Sequence, residues 1–381
     1  MTANLPTSRN PETSVPSTPP HADSNRLGWI DSARGLAAIL VMLHHYIWVT
    51  FAGDHAFLSR SLGSFSSDLL EHYLDLGVLG VALFFFISGY IVPVSAMPRS
   101  ARPLSRFFIG RFFRLYPAYW VSLALAAIVL APKGLHLLIN FTMFQRFLGA
   151  PDILGLYWTL QVELIFYFLI ALLLACGLLK KPAVSVFGAV VFLSLSGGLA
   201  AVRFYSGAKS PLAPALGLSL MFAGNFWYWF SHRHAFTKRQ AGLFYSAFLL
   251  CLYVISWFGY HRDWGNGEQP ARFITTYSIA LVLFLTISLV VKRGVRLIVY
   301  LGSISYSLYL FHELVMFTLW ERLPVGGWSR IAVCSAISIA VAAIGFRLVE
   351  RPAIAFGKRI VSRNGWTVGA LAAMPEKVSV G

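Results

Sequence analysis

Ten windows of about 20 predominantly apolar residues divide this chain, at 29–51, 77–97, 108–131, 157–179, 183–202, 211–230, 240–259, 273–291, 297–320 and 328–349. A segment of that length in hydrocarbon must satisfy its own backbone, and only helices and closed barrels do so; runs of 20 are helix-length, not strand-length. The sequence therefore predicts an all-α, polytopic membrane bundle of about ten transmembrane helices. Composition agrees. Of 381 residues, 57% are hydrophobic and 12% charged, about half the charge of an ordinary globular chain.

An even number of spans puts both termini on one side. With the termini in the cytoplasm, 22 of the 31 Lys and Arg fall inside, mostly in short loops near helix ends, where positive charge fixes orientation. The net charge of +16 thus serves topology and does not point to nucleic acid. Residues 1–26 are rich in Pro, Ser and Thr and read as a disordered cytoplasmic tail without a cleavable signal. The transmembrane domain is expected over 27–356 and a second cytoplasmic tail over 357–381. Cys176, Cys251 and Cys334 stand singly in separate apolar stretches, so no disulfide framework or metal site is legible. The segment LHLLINFTMF in the outer loop 132–156 is too short to cross and suits a re-entrant or surface-lying helix.

Ionisable residues inside spans are costly and mark function. In RGLAAILVMLHH, Arg34 and His45 are eleven residues apart, which on a helix is about three turns, one face and roughly 16 Å along the axis. Asp31 shares that face and suits either holding Arg34 or capping the helix. Counting from the outer span ends places His45 and Glu163 about 9 Å deep and His312 about 12 Å deep. Three ionisable groups from three segments at one level suit a buried catalytic or proton-handling centre. His44, about 100° round the helix, reads instead as a hydrogen-bonding contact to a neighbouring helix. In RSARPLSRFFIGRFFRLYP, Arg111 and Arg114 share a face at the cytoplasmic entry. Arginines there serve either lipid phosphates or a phosphorylated ligand, which guanidinium groups grip bidentately. A donor with phosphates at one end and a reactive group on a long arm, the shape of a coenzyme A thioester, would span from these arginines to His45.

These residues resemble the acyltransferase-3 family of membrane acyltransferases. The likeness covers residues 29–352 and rests on WIDSARGLAAILVMLHH, GVALFFFISGYIV, RFFIGRFFRLYPAYW, YWTLQVE, SISYSLYLFH and VERP, in that order. The resemblance implies transfer of an acyl group, commonly acetyl, from cytoplasmic acyl-CoA to a hydroxyl of an extracytoplasmic polysaccharide or similar glycan, at a bacterial inner membrane. It places His45 on the essential histidine, Arg34 on its paired arginine, Arg111 and Arg114 on the RxxR pair, Glu163 on the acid of the WTLxxE-like motif and Asp31 on the first-helix acid. Catalytic candidates are thus His45, Glu163 and His312, and acyl-CoA-binding candidates Arg34, Arg111, Arg114 and Asp31, with no metal and no tightly bound cofactor expected. His45 would act as general base or as a covalent acyl carrier, with Glu163 or His312 orienting it. Many relatives carry an added extracytoplasmic hydrolase-like domain; nothing of that size follows residue 352, so the bundle is expected to finish the transfer or pass the acyl group to a separate protein. The competing reading is a proton-coupled transporter in which buried His and Glu form a relay.

Overall fold

The computed structural model describes residues 22–51, 60–61, 63–97, 102–264, 267–292 and 294–364, with the first helix's side chains from Gly28 onward. Most of the two expected tails, residues 1–21 and 365–381, lies outside the described residues. The chain is all-helical, and no strand occurs among those residues. Helices form over every apolar window: α1 Ala22–Phe51, α2 Leu76–Ala96, α3 Pro103–Leu130, a short α4 Gly134–Phe141, α5 Tyr157–Ala175, α6 Ala183–Ser206, α7 Leu212–Ser231, α8 Lys238–Gly259, α9 Pro270–Val290, α10 Arg296–Ser303, α11 Ser305–Leu319, α12 Gly327–Gly345 and, after a π-helical turn at Phe346–Glu350, α13 Arg351–Arg363.

Local signals place the helix starts. Pro103 and Pro270 occupy first-turn positions, where a missing N–H costs nothing. Asp75 accepts from the Val78 N–H at 2.8 Å and caps α2. Thr237 and Gln240 form a reciprocal capping box on α8.

Eight helices among the described residues are long and apolar enough to cross a membrane, and nine if the bent pair α10–α11 counts as one span. The sequence count of ten differs at 211–230. That window does form a helix, α7, but its aromatic, amide and hydroxyl residues lower its hydropathy; it is buried without interruption from Ala215 to Trp229. It packs between α2 and α6 as a core helix shielded from lipid. The window 297–320 is not one straight helix either. α10 and α11 meet at 73° around Ile304, because α10 lies against α1 before the chain turns into the bundle. There the two backbones touch: a Cβ on Gly302 would fall on the Asp31 carbonyl, and one on Gly35 would lie 2.6 Å from the Ile298 oxygen. Small residues at such crossings let helix backbones approach closely.

The outer-loop segment is α4, with Leu135, Leu138 and Phe141 exposed along one side. Asn140 ties it down, accepting from Ile153 N at 3.1 Å and donating to the Pro151 carbonyl at 3.0 Å. At eight residues it is a helix too short to cross a membrane, as its length required. Residues 357–363, set with the C-terminal tail in the sequence reading, continue α13, and Gly357 packs against the Phe113 ring of α3.

Candidate active site

α1, α2, α3, α5, α11 and α13 enclose a cavity of about 850 Å³. Among the described residues its wall carries six cations, Arg34 on α1, Arg106, Arg111 and Arg114 on α3, and Lys358 and Arg359 on α13, against a single carboxylate, Glu163 on α5. Beyond the cations the wall turns apolar, with Val81, Phe84 and Phe85 among others, and it includes Thr159 and Tyr309. Arg106, Lys358 and Arg359 escaped the sequence reading. Arg106 lay among charges attributed to topology, and the α13 pair sat in a presumed tail.

The three arginines singled out in the sequence differ in how they are held. Arg34 is half-buried and makes no ion pair among the described residues. Arg111 donates to Ser95 Oγ at 2.8 Å and lies over the Tyr167 ring at 5.4 Å. Arg114 is already committed: its Nη1 donates to Glu350 Oε1 at 2.6 Å, and Glu350 Oε2 accepts from Ser307 at 2.7 Å. Arg114 thus lines the cavity with its charge already offset by the buried Glu350 side chain. Asp31 sits ten residues into α1, so it does not cap the helix, and it is not part of the cavity wall; its charge reaches Arg34 and Arg114 from behind.

Replacing Glu350 by Gln should cost about 1.5–3 kcal/mol, the usual worth of a hydrogen bond to a charged group. Thermal unfolding of the purified variant in detergent would show it, and Arg114→Met in the same background should return part of the loss.

Glu163 is where the structure departs most from the depth argument. It lines the cavity and accepts from Tyr167 at 2.5 Å. The carboxylate beside His45 is another one, Glu313, whose Oε1 lies 3.2 Å from His45 Nε2. His312, fully buried, approaches the other side of the ring, its Nε2 3.3 Å from His45 Nδ1. So the expected meeting of His45 with His312 occurs, and Glu313 takes the place assigned to Glu163. Glu313 carried the same signal in the sequence, an ionisable residue inside an apolar span, one position after His312 in FHELV. His44 pairs with Asp75 at 3.3 Å, and Asp75 pairs with Arg272 at 3.0 Å, tying α1 to α2 and α9. That is the interhelical role its position suggested.

The two regions adjoin. Tyr309 lines the cavity, is held by Thr159 Oγ1 at 2.6 Å and the Leu156 carbonyl at 3.1 Å, and puts its ring 6.1 Å from that of His312. His45 itself is not in the cavity wall, yet its side chain is 29% exposed. Its open edge therefore faces away from the cationic cavity.

Compared with known proteins, residues 27–347 match the family model of the acyltransferase-3 domain. The chain belongs to the acyltransferase-3 family. Among curated proteins, Nodulation protein 10 of Rhizobium leguminosarum bv. viciae is 27% identical over 330 residues, covering 75% of this chain and 84% of the relative. BcsY of Komagataeibacter xylinus, named as a membrane-bound transacylase, is 24% identical over 373 residues, covering 89% and 86%. Acyltransferase MdmB of Streptomyces mycarofaciens is 26% identical over 156 residues, or 37% of this chain and 38% of that one. No solved structure matches. This acyltransferase-3 protein is thus a multi-pass membrane enzyme that transfers acyl groups, and the transporter reading gives way.

In this acyltransferase, ligand-type atoms of His45, His312 and Glu313 lie within 4.8 Å of one another, a spacing that by itself would suit a cation. The contacts argue for a hydrogen-bonded chain instead. His312 and Glu313 face opposite nitrogens of the His45 ring, whereas an ion would draw on one nitrogen only.

Proposed function

We propose that this protein is an O-acyltransferase that takes an acyl group, acetyl in the simplest case, from cytoplasmic acyl-CoA and delivers it to a hydroxyl of an extracytoplasmic carbohydrate, in a bacterial inner membrane. The observation that carries the reading is the cavity with six cations and one carboxylate among the described residues of its wall, turning apolar toward Tyr309. A donor with several phosphates and a long flexible arm matches that gradient: guanidinium groups hold phosphate oxygens bidentately, and the apolar end accepts the arm. The positive-inside distribution of Lys and Arg supports cytoplasmic termini, with Lys358 and Arg359 of α13 at the cavity mouth on that side. Acyl transfer by the relatives agrees with the class of reaction.

In this reading His45 is the general base that removes the acceptor's hydroxyl proton as its oxygen attacks the thioester carbonyl. His312 orients the ring from one side. Glu163, set among the arginines, stands closer to the donor's phosphates than to the reacting atoms and shapes donor binding through Arg34, whose charge it reaches.

Acetyl-CoA titrated against purified protein in nanodiscs tests the proposal. Saturable binding that Arg34→Ala weakens by at least about tenfold, the worth of one charge-assisted contact of roughly 1.5 kcal/mol, is the expected result. Binding of no acyl-CoA by folded wild type would refute the donor, and equal affinity in Arg34→Ala would remove Arg34 from its site.

A further inference from the structure

The hydrogens around His45 are largely dictated by their acceptors. His312 Nδ1 lies 3.0 Å from the Leu308 carbonyl, which only accepts, so that nitrogen carries the hydrogen and Nε2 of the neutral ring keeps a lone pair. The lone pair faces His45 Nδ1 at 3.3 Å, and the same nitrogen is 2.9 Å from the Val41 carbonyl. Two acceptors there place a hydrogen on His45 Nδ1. His45 Nε2 is left to face Glu313 Oε1 at 3.2 Å. Without a proton between them, a lone pair and a carboxylate oxygen repel; with one, they form a charge-assisted hydrogen bond.

The Glu313 carboxylate is stabilised by the backbone of Gly155 and Leu156 and by the His45 ring. The Glu313 side chain is 4% exposed, and Oε2 is buried without a hydrogen-bond partner among the described residues. No Lys or Arg makes an ion pair with it there; the charges acting on it are His45 and a second acid, Asp152. Gly155 brings bare backbone up to it, so that even a Cβ would sit 3.5 Å from Oε1. A buried carboxyl group with an unmet oxygen costs stability, and such a cost is commonly retained where the group serves chemistry.

We propose that Glu313 is the positioning residue of acyl transfer, forming with His45 Nε2 the slot into which the acceptor's hydroxyl proton passes. The inference rests on His45 acting as base. In the step, the hydroxyl proton enters the slot as the acceptor oxygen bonds to the acyl carbon; the C–S bond breaks, and the departing thiolate takes a proton back from the slot, leaving it empty for the next turn. His312, with its fixed hydrogen, keeps the ring from turning Nε2 away. The charged and titratable groups around the slot are His44 on the same helix, backed by Asp75 and Arg272, His312 on α11, and Asp152 ahead of α5.

Glu313→Gln retains shape and removes the charge. With acetyl-CoA and a hydroxyl acceptor, kcat should fall about 100-fold or more, the usual size of a proton-transfer contribution, while the KM for acetyl-CoA stays within twofold. Glu313→Asp should recover part of kcat. A second readout does not need turnover: solid-state ¹⁵N spectra of histidine-labelled protein, with the His45 signal identified by its loss in His45→Gln, should show a bare Nε2 in resting wild type, where the slot is empty, and in Glu313→Gln an Nε2 that accepts a hydrogen bond from the new amide. A kcat within threefold of wild type, or an unchanged His45 spectrum, would overturn the proposal. Failure of wild type to bind or turn over any acyl-CoA would instead sink the donor reading, with the spectra still deciding the slot.

Discussion

His45→Ala should abolish acyl transfer, lowering kcat by about 10³-fold or more, with acetyl-CoA affinity within about twofold of wild type. The size follows from general-base catalysis, which supplies roughly 10²–10⁴-fold, and from the loss of the hydrogen-bonding group that His312 and Glu313 both face. Unchanged affinity follows from geometry, since His45 is absent from the wall of the cationic cavity. Alanine also strands Glu313 as an unpaired buried acid, so the variant should be somewhat less stable. His45→Gln is the necessary companion, because it keeps a hydrogen-bonding side chain but cannot relay the proton. Single-turnover assays with labelled acetyl-CoA, beside binding titrations on the same preparations, separate the two effects. Substantial transfer by either variant at normal expression would show that the base lies elsewhere.

The second large effect is structural. Gly302→Ala should lower stability by about 1–3 kcal/mol, the range for overpacking a close contact, and should reduce the yield of folded protein. The added methyl would meet the Asp31 backbone and not the end of a flexible chain, so relief requires α10 to move off α1. Because Arg34 and Gly35 are neighbours on that stretch of α1, donor affinity should fall along with stability. Gly197→Ala on α6 is the control: nothing lies within 4 Å of its new Cβ, and alanine favours a helix by up to about 1 kcal/mol over glycine. Melting temperatures in one detergent would decide it. Equal melting of Gly302→Ala and wild type would mean that the α1–α10 crossing is looser than its backbone contact implies.

How far the sequence carried depends on which coordinate is asked for. Position along a membrane helix is counted in residues, so the apolar windows, the short α4 and the shared depth of His45 and His312 were legible from spacing and bilayer thickness. Direction around a helix axis relative to other helices is not counted in anything local. Glu163 was assigned to His45 by depth, yet its side chain turns to Tyr167 and the arginines, while Glu313 reaches the ring. The pairing of Arg114 with Glu350 was likewise illegible, because the two lie 236 residues apart. The α7 window shows the same limit. Apolar length made it a candidate span, but which faces it buries was not countable, and the structure buries it all round from Ala215 to Trp229. Motif order, which reflects the whole arrangement at once, reached the family where single residues did not reach their neighbours.

The hydrogen-bonded Tyr309, set between the cationic cavity and a histidine whose open edge faces elsewhere, gives the bundle the character of a bulkhead with a transfer hatch. On the proposed reading the two substrates never share a vestibule. The nucleotide carrier stays on its own side for the whole cycle, the sugar never meets the arginines, and two carbons of cargo are all that change compartments. Selection of the cargo by size would then be exercised at the hatch, and competition between donor and acceptor for one entrance would not arise.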